Sequence, residues 1–257
     1  MLTHLRWILF PLAGLILVVV SAWSSGPTQF AKQYTSGQDV TPAYEGWQAN
    51  PDGTFTLWFG YLNRNFEEEL DIPIGPNNTL DPGGDRGQPT HFYPRRQHFV
   101  FKTLVPKDWG TERKVVWTLT IRGRTNFAKG WLQPEWEIDK LVMMENSGGG
   151  VDPENQPPSI TGSPAQTITL PNTATLTATA EDDGRPKRGG GLAIRWIQYR
   201  GPGPVAIDQP TTATSTDGKP FSSTAKARFG VPGVYWIRAI AGDGSLEAFH
   251  DVAVTVK

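Results

Sequence analysis

The feature that most constrains this chain is its division into short apolar segments, each bounded by glycine, proline, asparagine or aspartate. These segments are rich in aromatic and β-branched residues, and none keeps a helical period over several turns. Such a pattern is typical of β-strands joined by tight turns. Turns are frequent as well, since the 257 residues include 28 glycines and 22 prolines. The chain is therefore predicted to be all-β.

The two halves of the chain show this pattern in different forms. In the first half we predict strands at 43–49, 53–62, 66–74, 97–105, 114–122 and 129–143. In the second half, residues 174–180 alternate alanine or leucine with threonine, and Trp196 lies near the centre of a later apolar segment. A central tryptophan opposite alternating late strands is what an immunoglobulin-like sandwich requires. We predict two consecutive β-sandwich (immunoglobulin-like) domains.

Composition also indicates where the domains begin and end. Residues 145–158 contain three glycines, acidic residues and a proline pair, which is the composition of a linker. This linker separates an N-terminal module at 43–144 from a C-terminal domain at 159–257, and both have a common domain size. Residues 23–42 are small and polar, and we predict a flexible lead-in there.

Residues 1–22 have the features of a secretory signal peptide. Arg6 supplies a basic start, the run at 7–20 is apolar, and Val20 and Ala22 suit the small-residue positions of a cleavage site. The alternative is an uncleaved anchor, through which alone the chain would contact a membrane. Either arrangement predicts an extracytoplasmic protein, whether periplasmic, on the cell surface or secreted.

Charge and residue content exclude several classes of function. The net charge of −1 argues against binding to nucleic acid or to an anionic membrane surface. The chain has no cysteine, which excludes disulfides, zinc–thiolate sites and a cysteine nucleophile. Because the sequence also lacks the hydrolase elbow, the zinc-protease helix motif and a phosphate loop, we predict that the protein is not an enzyme. A hydrolase with an unfamiliar site is the remote alternative.

The second half contains spaced motifs that match a known family. They include the proline pair at 157–158, Asp182–Asp183–Gly184, Trp196, Pro232–Gly233 with Tyr235, and Asp243–Gly244. With them, residues 155–257 resemble the immunoglobulin-like modules of the polycystic-kidney-disease type on bacterial surface proteins. The resemblance implies a seven-stranded sandwich that serves as a spacer or adhesion module without catalysis. The basic insert at 184–191 departs from the family pattern.

The first half resembles a second module. Its motifs are FGYLNRN, IPIGPNN, DRGQPTHFYPRRQ, VWTL and GRT, in that order over about 44–140. They are similar to those of an uncharacterised β-sandwich module of secreted bacterial proteins. That resemblance implies the fold and a secreted context, and it implies no activity. The acidic run at 67–69 is a departure from the usual module.

The acidic run is the first candidate site. If 66–74 is a strand, then Phe66, Leu70, Ile72 and Ile74 face inward, Glu68 falls in the same phase near the rim, and the other carboxylates face water. A general acid–base pair needs two carboxylates that converge on one cleft. We therefore interpret the run as a solvated face that also protects the sheet against edge pairing.

The long segment at 75–96 is the second candidate. It carries no strand signal, and long ordered loops in compact domains are often functional. Arginine forks suit carboxylates, and a neighbouring aromatic ring can stack on a sugar. The candidate ligand-binding residues are Arg86, His91, Tyr93, Arg95 and Arg96. The competing interpretation is a self-satisfied loop, in which the arginines bond to backbone carbonyls and to the acidic strand.

A third candidate is a calcium site. Asp182 and Asp183 lie in the loop before the tryptophan strand, and Asp243 lies in the last hairpin. In an immunoglobulin-like sandwich these loops share one end, so their oxygens can meet around calcium. The alternative is turn chemistry, since Asp-Gly pairs shape loops without a metal. No other cofactor is predicted.

These observations favour a non-enzymatic interaction or structural protein of the cell envelope, which presents a binding surface on tandem β-sandwiches. The expected partner is an envelope protein or an extracellular glycan. The alternative function is a carbohydrate-binding accessory protein that uses the 75–96 segment.

Overall fold

The computed structural model of this chain describes residues 33–186, 191–213 and 219–257. The predicted signal segment, the first part of the lead-in and the centre of the basic insert lie outside the described residues. The strands of the first half are β1 (Val40–Ala49), β2 (Phe55–Asn63), β3 (Leu70–Asp71), β4 (Asn78–Asp81), β5 (His91–Phe92), β6 (Arg95–Val105), β7 (Val115–Ile121) and β8 (Arg124–Gly130).

The second half is also built from strands, and a short helical segment precedes it. A 3₁₀ turn (Pro134–Trp136) and helix α1 (Lys140–Ser147) come first. The remaining strands are β9 (Ser159–Gly162), β10 (Gln166–Ile168), β11 (Ala174–Glu181), β12 (Ala193–Arg200), β13 (Val205–Ile207), β14 (Thr211–Ala213), β15 (Phe221–Phe229), β16 (Gly233–Gly242) and β17 (Glu247–Val256).

The first sandwich buries its aromatic residues between two three-stranded sheets. One sheet has the order β1-β2-β6 and the other β4-β7-β8, while β3 and β5 form a small separate ladder. Trp117 of β7 is fully buried, and its ring meets that of Phe101 edge-on at 4.8 Å. Burying so much aromatic surface is the main favourable term for this half.

The second sandwich has the arrangement that its alternating pattern predicts. Sheet β10-β17-β16-β12-β14 packs against sheet β13-β15-β11-β9. Ala174, Leu176, Ala178 and Ala180 are all buried, as the alternation predicts. Trp196 lies at the centre of this core, and its Nε1 donates to the Ser223 hydroxyl at 3.0 Å. The all-β fold with two immunoglobulin-like sandwiches is confirmed.

Two predicted strands are wrong over most of their length. The segment 129–143 contains only the end of β8, and the 3₁₀ turn and α1 follow it. Helix α1 begins where the Asp139 carboxylate accepts from the N–H groups of Leu141 and Val142, and it ends at Gly148 in the left-handed region. This two-turn helix is too short to show a helical period in the sequence.

The segment 66–74 is extended only at Leu70–Asp71. Leu70 and Ile72 are buried, as predicted, but Phe66 is 45% exposed and was wrongly assigned to the inward row. The Arg95 guanidinium lies over the Phe66 ring at 5.4 Å, which stabilises that ring at the surface.

The predicted lead-in and linker both bond to the sandwiches. β1 begins at Val40, and the backbone of Phe66 donates to the Tyr34 carbonyl at 2.8 Å. In the linker, Asn155 is fully buried and donates to Asp243. The described residues from 33 to 257 form one compact unit. Within the described ranges, no helix has the length and apolar character needed to cross a membrane.

Candidate functional site

The two sandwiches meet on a face that an isolated sandwich would expose to water. On β12 and β16, the side chains of Trp196 and Ile237 face the second core, while Tyr199 and Trp236 point the opposite way. Tyr199 is 1% exposed and packs with the core of the first sandwich. The outer face of this sheet is therefore covered by the first sandwich.

Hydrogen bonds from the 75–96 segment hold this junction. Arg200 donates to both carboxylate oxygens of Asp85, at 2.8 and 3.1 Å, and through Nε to the Gln88 carbonyl at 2.7 Å. The Tyr199 hydroxyl donates to the Gly87 carbonyl at 2.5 Å. The Arg200 hydrogen bonds hold the pKa of Asp85 below its ordinary value, despite partial burial. The long segment is thus a docking element between the sandwiches.

A second buried cation supports the same junction. Arg238 of β16 makes a two-pronged contact with Asp251, at 2.7 and 2.9 Å. Its Nη1 donates across the junction to the Val100 carbonyl at 2.5 Å. Its guanidinium also lies 3.6 Å from the centre of the Tyr199 ring. Because every arm of this guanidinium is engaged, Arg238 ties β16 to β6.

Beside these contacts the junction encloses a cavity of about 260 Å³. Strand β6, helix α1 and the outer face of the second sandwich form its walls. Its aromatic wall includes Trp58, Tyr93, Phe99 and Phe249, and its charged or titratable lining is Arg96, His98, Arg195, Arg238 and Glu247. A mixed aromatic and polar lining at a domain interface is typical of ligand-binding sites.

A bulge in β6 shapes this cavity. Phe59 pairs with Phe101 and Tyr61 pairs with Gln97, so three residues of β6 lie opposite Gly60. Phe99, within the bulge, has a φ of 48°, which non-glycine residues rarely adopt. A Cβ at Gly60 would lie 2.1 Å from an oxygen of Glu45, so glycine is required here. The bulge directs side chains of β6 into the junction.

The buried carboxylate of Glu45 partners two of the lining residues. Arg96 donates to Glu45 Oε1 at 2.7 Å, and also to the carbonyls of Tyr61 and Gln97. His98 Nδ1 lies 3.5 Å from Glu45 Oε2. This nitrogen is buried and hydrogen-bonds to no described residue. The described residues therefore leave this nitrogen, which lies beside Glu45, without a hydrogen bond.

The structure distributes the five predicted ligand-binding residues over four places. Tyr93 and Arg96 line the cavity. Arg86 donates to the carbonyls of Pro82 and Leu104, as the self-satisfied interpretation expects. Arg95 covers Phe66, and His91 is buried in the β3–β5 ladder. Only two of the five residues thus share a cavity.

His91 gives the acidic run a role beyond solvation. Its Nδ1 lies 2.8 Å from Asp71 and its Nε2 lies 3.1 Å from Glu69. Both carboxylates are about half exposed, whereas the imidazole is 6% exposed. Glu68, at the rim as predicted, accepts from Arg122 at 2.6 Å and from the Gly37 N–H at 2.8 Å. These bonds fasten the run to β5, to the β7–β8 turn and to residues before β1.

The predicted calcium ligands meet only in part. Asp182 lies beside Asp243, and burial together with that neighbouring charge raises the pKa of Asp182. Asp243 accepts from the N–H groups of Ser245 and Leu246 and from the Asn155 amide. Asp183 instead accepts from two backbone N–H groups of the loops. In the described part of the chain, no three His, Cys, Asp or Glu side chains gather as a metal-binding group.

No protein-family model matches this chain, and no curated protein sequence matches it. One similar solved structure is AggA, the major subunit of aggregative adherence fimbriae type I from Escherichia coli. Its sequence is 14% identical, its TM-score is 0.27, and the match covers 39% of this chain and 95% of that chain. Domains 4 and 5 of the S-layer protein SbsC are 13% identical, with a TM-score of 0.26. The match covers 56% of this chain and 65% of that chain. A chimeric titin Z1Z2 is 11% identical, with a TM-score of 0.25. The match covers 86% of this chain and 99% of that chain. Such TM-scores carry no argument about function.

Sequence reasoning missed the residues of the second sandwich that line the junction. They are Arg195, Tyr199, Arg200, Arg238, Glu247 and Phe249. A signal was present, because β12 and β16 carry large apolar side chains in both phases. In a strand with one face in water, apolar and polar residues alternate, whereas a strand covered on both faces carries apolar residues in both phases. That pattern in an antiparallel sheet predicts that something packs on its outer face.

Proposed function

We propose that this chain is an extracytoplasmic interaction protein, without enzymatic activity, whose two β-sandwiches present a binding surface as one rigid unit. The observation that carries the proposal is the hydrogen-bond network at the junction, above all the buried Arg200 with Asp85 and Gln88. Inter-domain interfaces of this kind remove the relative motion that flexibly linked domains have. The resemblance of 155–257 to adhesion and spacer modules of bacterial surface proteins supports the same role.

A rigid unit holds surfaces of both sandwiches in a defined relation, which lowers the ordering cost when a partner touches both. The proposed partner is an envelope protein or an extracellular glycan. The test is cross-linked capture from an envelope extract with the mature chain, followed by analysis of both protein and polysaccharide. Saturable recovery of one partner supports the proposal. Recovery of the same background as an unrelated sandwich protein contradicts it.

Replacing Arg200 with glutamine is expected to loosen the junction. The change removes the two bonds to Asp85 and leaves the Gln88 carbonyl without its donor, which costs about 2 kcal/mol. At neutral pH we expect urea unfolding to begin earlier, small-angle scattering to show a larger radius of gyration, and partner capture to fall. Arg228→Gln is the control, since Arg228 is exposed on β15. Equal behaviour of the two variants would show that the Arg200 contacts do not hold the unit together.

The same pair predicts a dependence on pH. The pKa of Asp85 is lowered in the folded chain, so its pairing stabilises the fold above the unfolded value of about 3.9. That contribution is lost as the pH falls through the lowered pKa. The stability difference between wild type and Arg200→Gln is therefore expected to shrink below about pH 3.9.

We propose a second, structural role for calcium at one end of the second sandwich. The observation that favours it is a pair of buried oxygens, Asn155 Oδ1 and Asp182 Oδ1, which hydrogen-bond to no described residue. They belong to side chains that accompany Asp243, whose carboxylate accepts from the Asn155 amide. Carboxylate and amide oxygens are calcium ligands, and a cation here would relieve the repulsion between the two aspartates.

Calcium is then expected to raise the Tm by about 5 °C or more at a concentration one hundred times the Kd. Asp182→Asn should abolish this shift. In a chelator the same variant should melt no lower than wild type, because it removes a charge that burial disfavours. Asp183→Asn is the matched control, since Asp183 bonds to loop backbone. Identical melting of wild type with calcium and with chelator would exclude the site.

A further inference from the structure

We propose that the junction cavity binds a sugar residue that carries a carboxylate, held against the aromatic wall and recognised by Arg195. The inference rests on the proposed function for the rigid junction that forms the cavity. It goes further by assigning a ligand class and the residues that select it. Four properties of the cavity carry it: its rings, its cations, the Tyr93 hydroxyl and its size.

Aromatic rings line both sides of the junction. Lys102 lies over one face of Trp58 and Arg238 over one face of Phe249, so a ligand would pack on the remaining ring surface. Trp58 and Phe99 belong to the first sandwich, and their rings meet edge-on at 6.1 Å. Phe249 belongs to β17 of the second sandwich. The C–H faces of a pyranose ring pack on such surfaces, and polar groups around the rim then orient its hydroxyls. A ligand here would contact both sandwiches at once.

Among the arginines of the cavity, Arg195 has the weakest partner. Arg96 and Arg238 each lie 2.7 Å from a carboxylate oxygen. The nearest carboxylate oxygen to Arg195 belongs to Glu247, at 3.9 Å, and the side chain is 41% exposed. Burial raises the pKa of Glu247, and Arg195 is the main charge that offsets this effect. A ligand carboxylate would therefore share Arg195 with Glu247, whose side chain still reaches water. The planar fork of Arg195 matches a carboxylate with two parallel bonds.

The Tyr93 hydroxyl offers a hydrogen bond to a sugar hydroxyl. Burial raises the pKa of Tyr93 to about 12, so this hydroxyl stays protonated at neutral pH. Its oxygen accepts from the Gln198 N–H at 3.0 Å, and its proton remains for donation. The His98 ring also lines the cavity, with its buried Nδ1 on the side of Glu45 at 3.5 Å. The strained β6 bulge beside it is the kind of local geometry that accompanies binding sites.

Size and strand pairing favour a sugar over other ligands. The volume of about 260 Å³ lies below the range of drug-sized sites, which begins near 300 Å³. A peptide strand would add along the free edge of β6, but Arg238 already occupies the carbonyl of Val100 there. A phosphate cluster would require several weakly paired cations, whereas Arg96 and Arg238 are held by Glu45 and Asp251.

The test is titration calorimetry of the full chain with short oligosaccharides that end in glucuronate, galacturonate or mannuronate. Each is paired with the neutral sugar of the same ring and linkage. We expect one uronate to bind at least about tenfold more tightly than its neutral counterpart, because the carboxylate adds charge-assisted bonds. Arg195→Gln should lose about tenfold in affinity for that uronate and none for the neutral sugar. Arg228→Gln, on the exposed face of β15, should bind as wild type does.

Three results would overturn the proposal: no binding of any uronate, equal binding of acidic and neutral sugars, or unchanged uronate affinity in Arg195→Gln. The ratio of acidic to neutral binding is measured on wild type, so it decides even if the variant does not fold. Partner capture by wild type and Arg195→Gln separates this inference from the proposed function. If wild type captures its partner but binds no uronate, the cavity proposal is rejected and the interaction role stands.

Discussion

Asn78→Ala is expected to lower the free energy of unfolding by about 4 kcal/mol, the largest effect among the substitutions proposed. Each buried polar group left without a partner costs about 1–3 kcal/mol. Asn78 is fully buried, and its amide donates to the carbonyls of Ile72 and Pro89 at 2.9 and 2.8 Å. Its Oδ1 accepts from Trp117 Nε1 at 3.0 Å. Alanine would leave three buried polar groups unpaired inside the first sandwich. Equilibrium urea unfolding measures the change.

The neighbouring residue provides a matched control for this prediction. Asn77 has an exposed side chain, and Asn77→Ala should change the free energy of unfolding by less than about 0.5 kcal/mol. Because Asn78 ties β4 to Ile72, just after β3, and to Pro89, just before β5, its loss should also loosen the 75–96 segment. Faster amide exchange at Gly87 and Thr90 would report this. Similar unfolding of both variants would mean that the Asn78 contacts contribute little.

Arg238→Met is expected to cost about 3 kcal/mol and to separate the sandwiches locally. Methionine nearly keeps the volume but removes every bond of the guanidinium, so Asp251 loses its partner and the Val100 carbonyl loses its donor. Breaking a buried ion pair costs about 3–5 kcal/mol. We expect the lower value here because the Asp251 side chain is 30% exposed. The stacking on Tyr199 is lost as well. The measurement is urea unfolding with tryptophan fluorescence.

Arg228→Met is the control for the charge change alone, since Arg228 lies exposed on β15. The double variant Arg238→Met with Asp251→Leu should recover part of the lost stability, because no unpaired carboxylate then lies beside the methionine. If Arg238→Met unfolds at the same urea concentration as the control, the junction is not held by this arginine.

Local sequence patterns correctly predict which residues are buried where a strand has one face in water. Alternation along β11 predicts its buried row, and Trp196 falls at the centre of the second core as expected. The same reasoning failed at 66–74, where Arg95 holds Phe66 at the surface. It failed again at 140–147, where a two-turn helix depends on the Asp139 cap rather than on a periodic stripe.

The candidate residues divide in the same way. Residue type alone identified Tyr93 and Arg96 as candidate ligand-binding residues, and both line the cavity. The same criterion also selected Arg86, which is bonded to backbone carbonyls. Arginine chemistry is the same in a loop that binds a ligand and in a loop that satisfies itself. The partners decide between the two, and they lie far away along the chain.

The sequence by itself determined that this chain is built of short strands in two β-sandwiches, because strand periodicity and turn residues are local properties. Only the tertiary structure decided that the outer face of β12 and β16 is a junction. Arg200 meets Asp85 and Arg238 meets Val100 across more than one hundred residues of sequence. A contact of that kind depends on how two finished sandwiches fit together. No local pattern encodes that fit, and it creates the cavity and selects Arg195 among its cations.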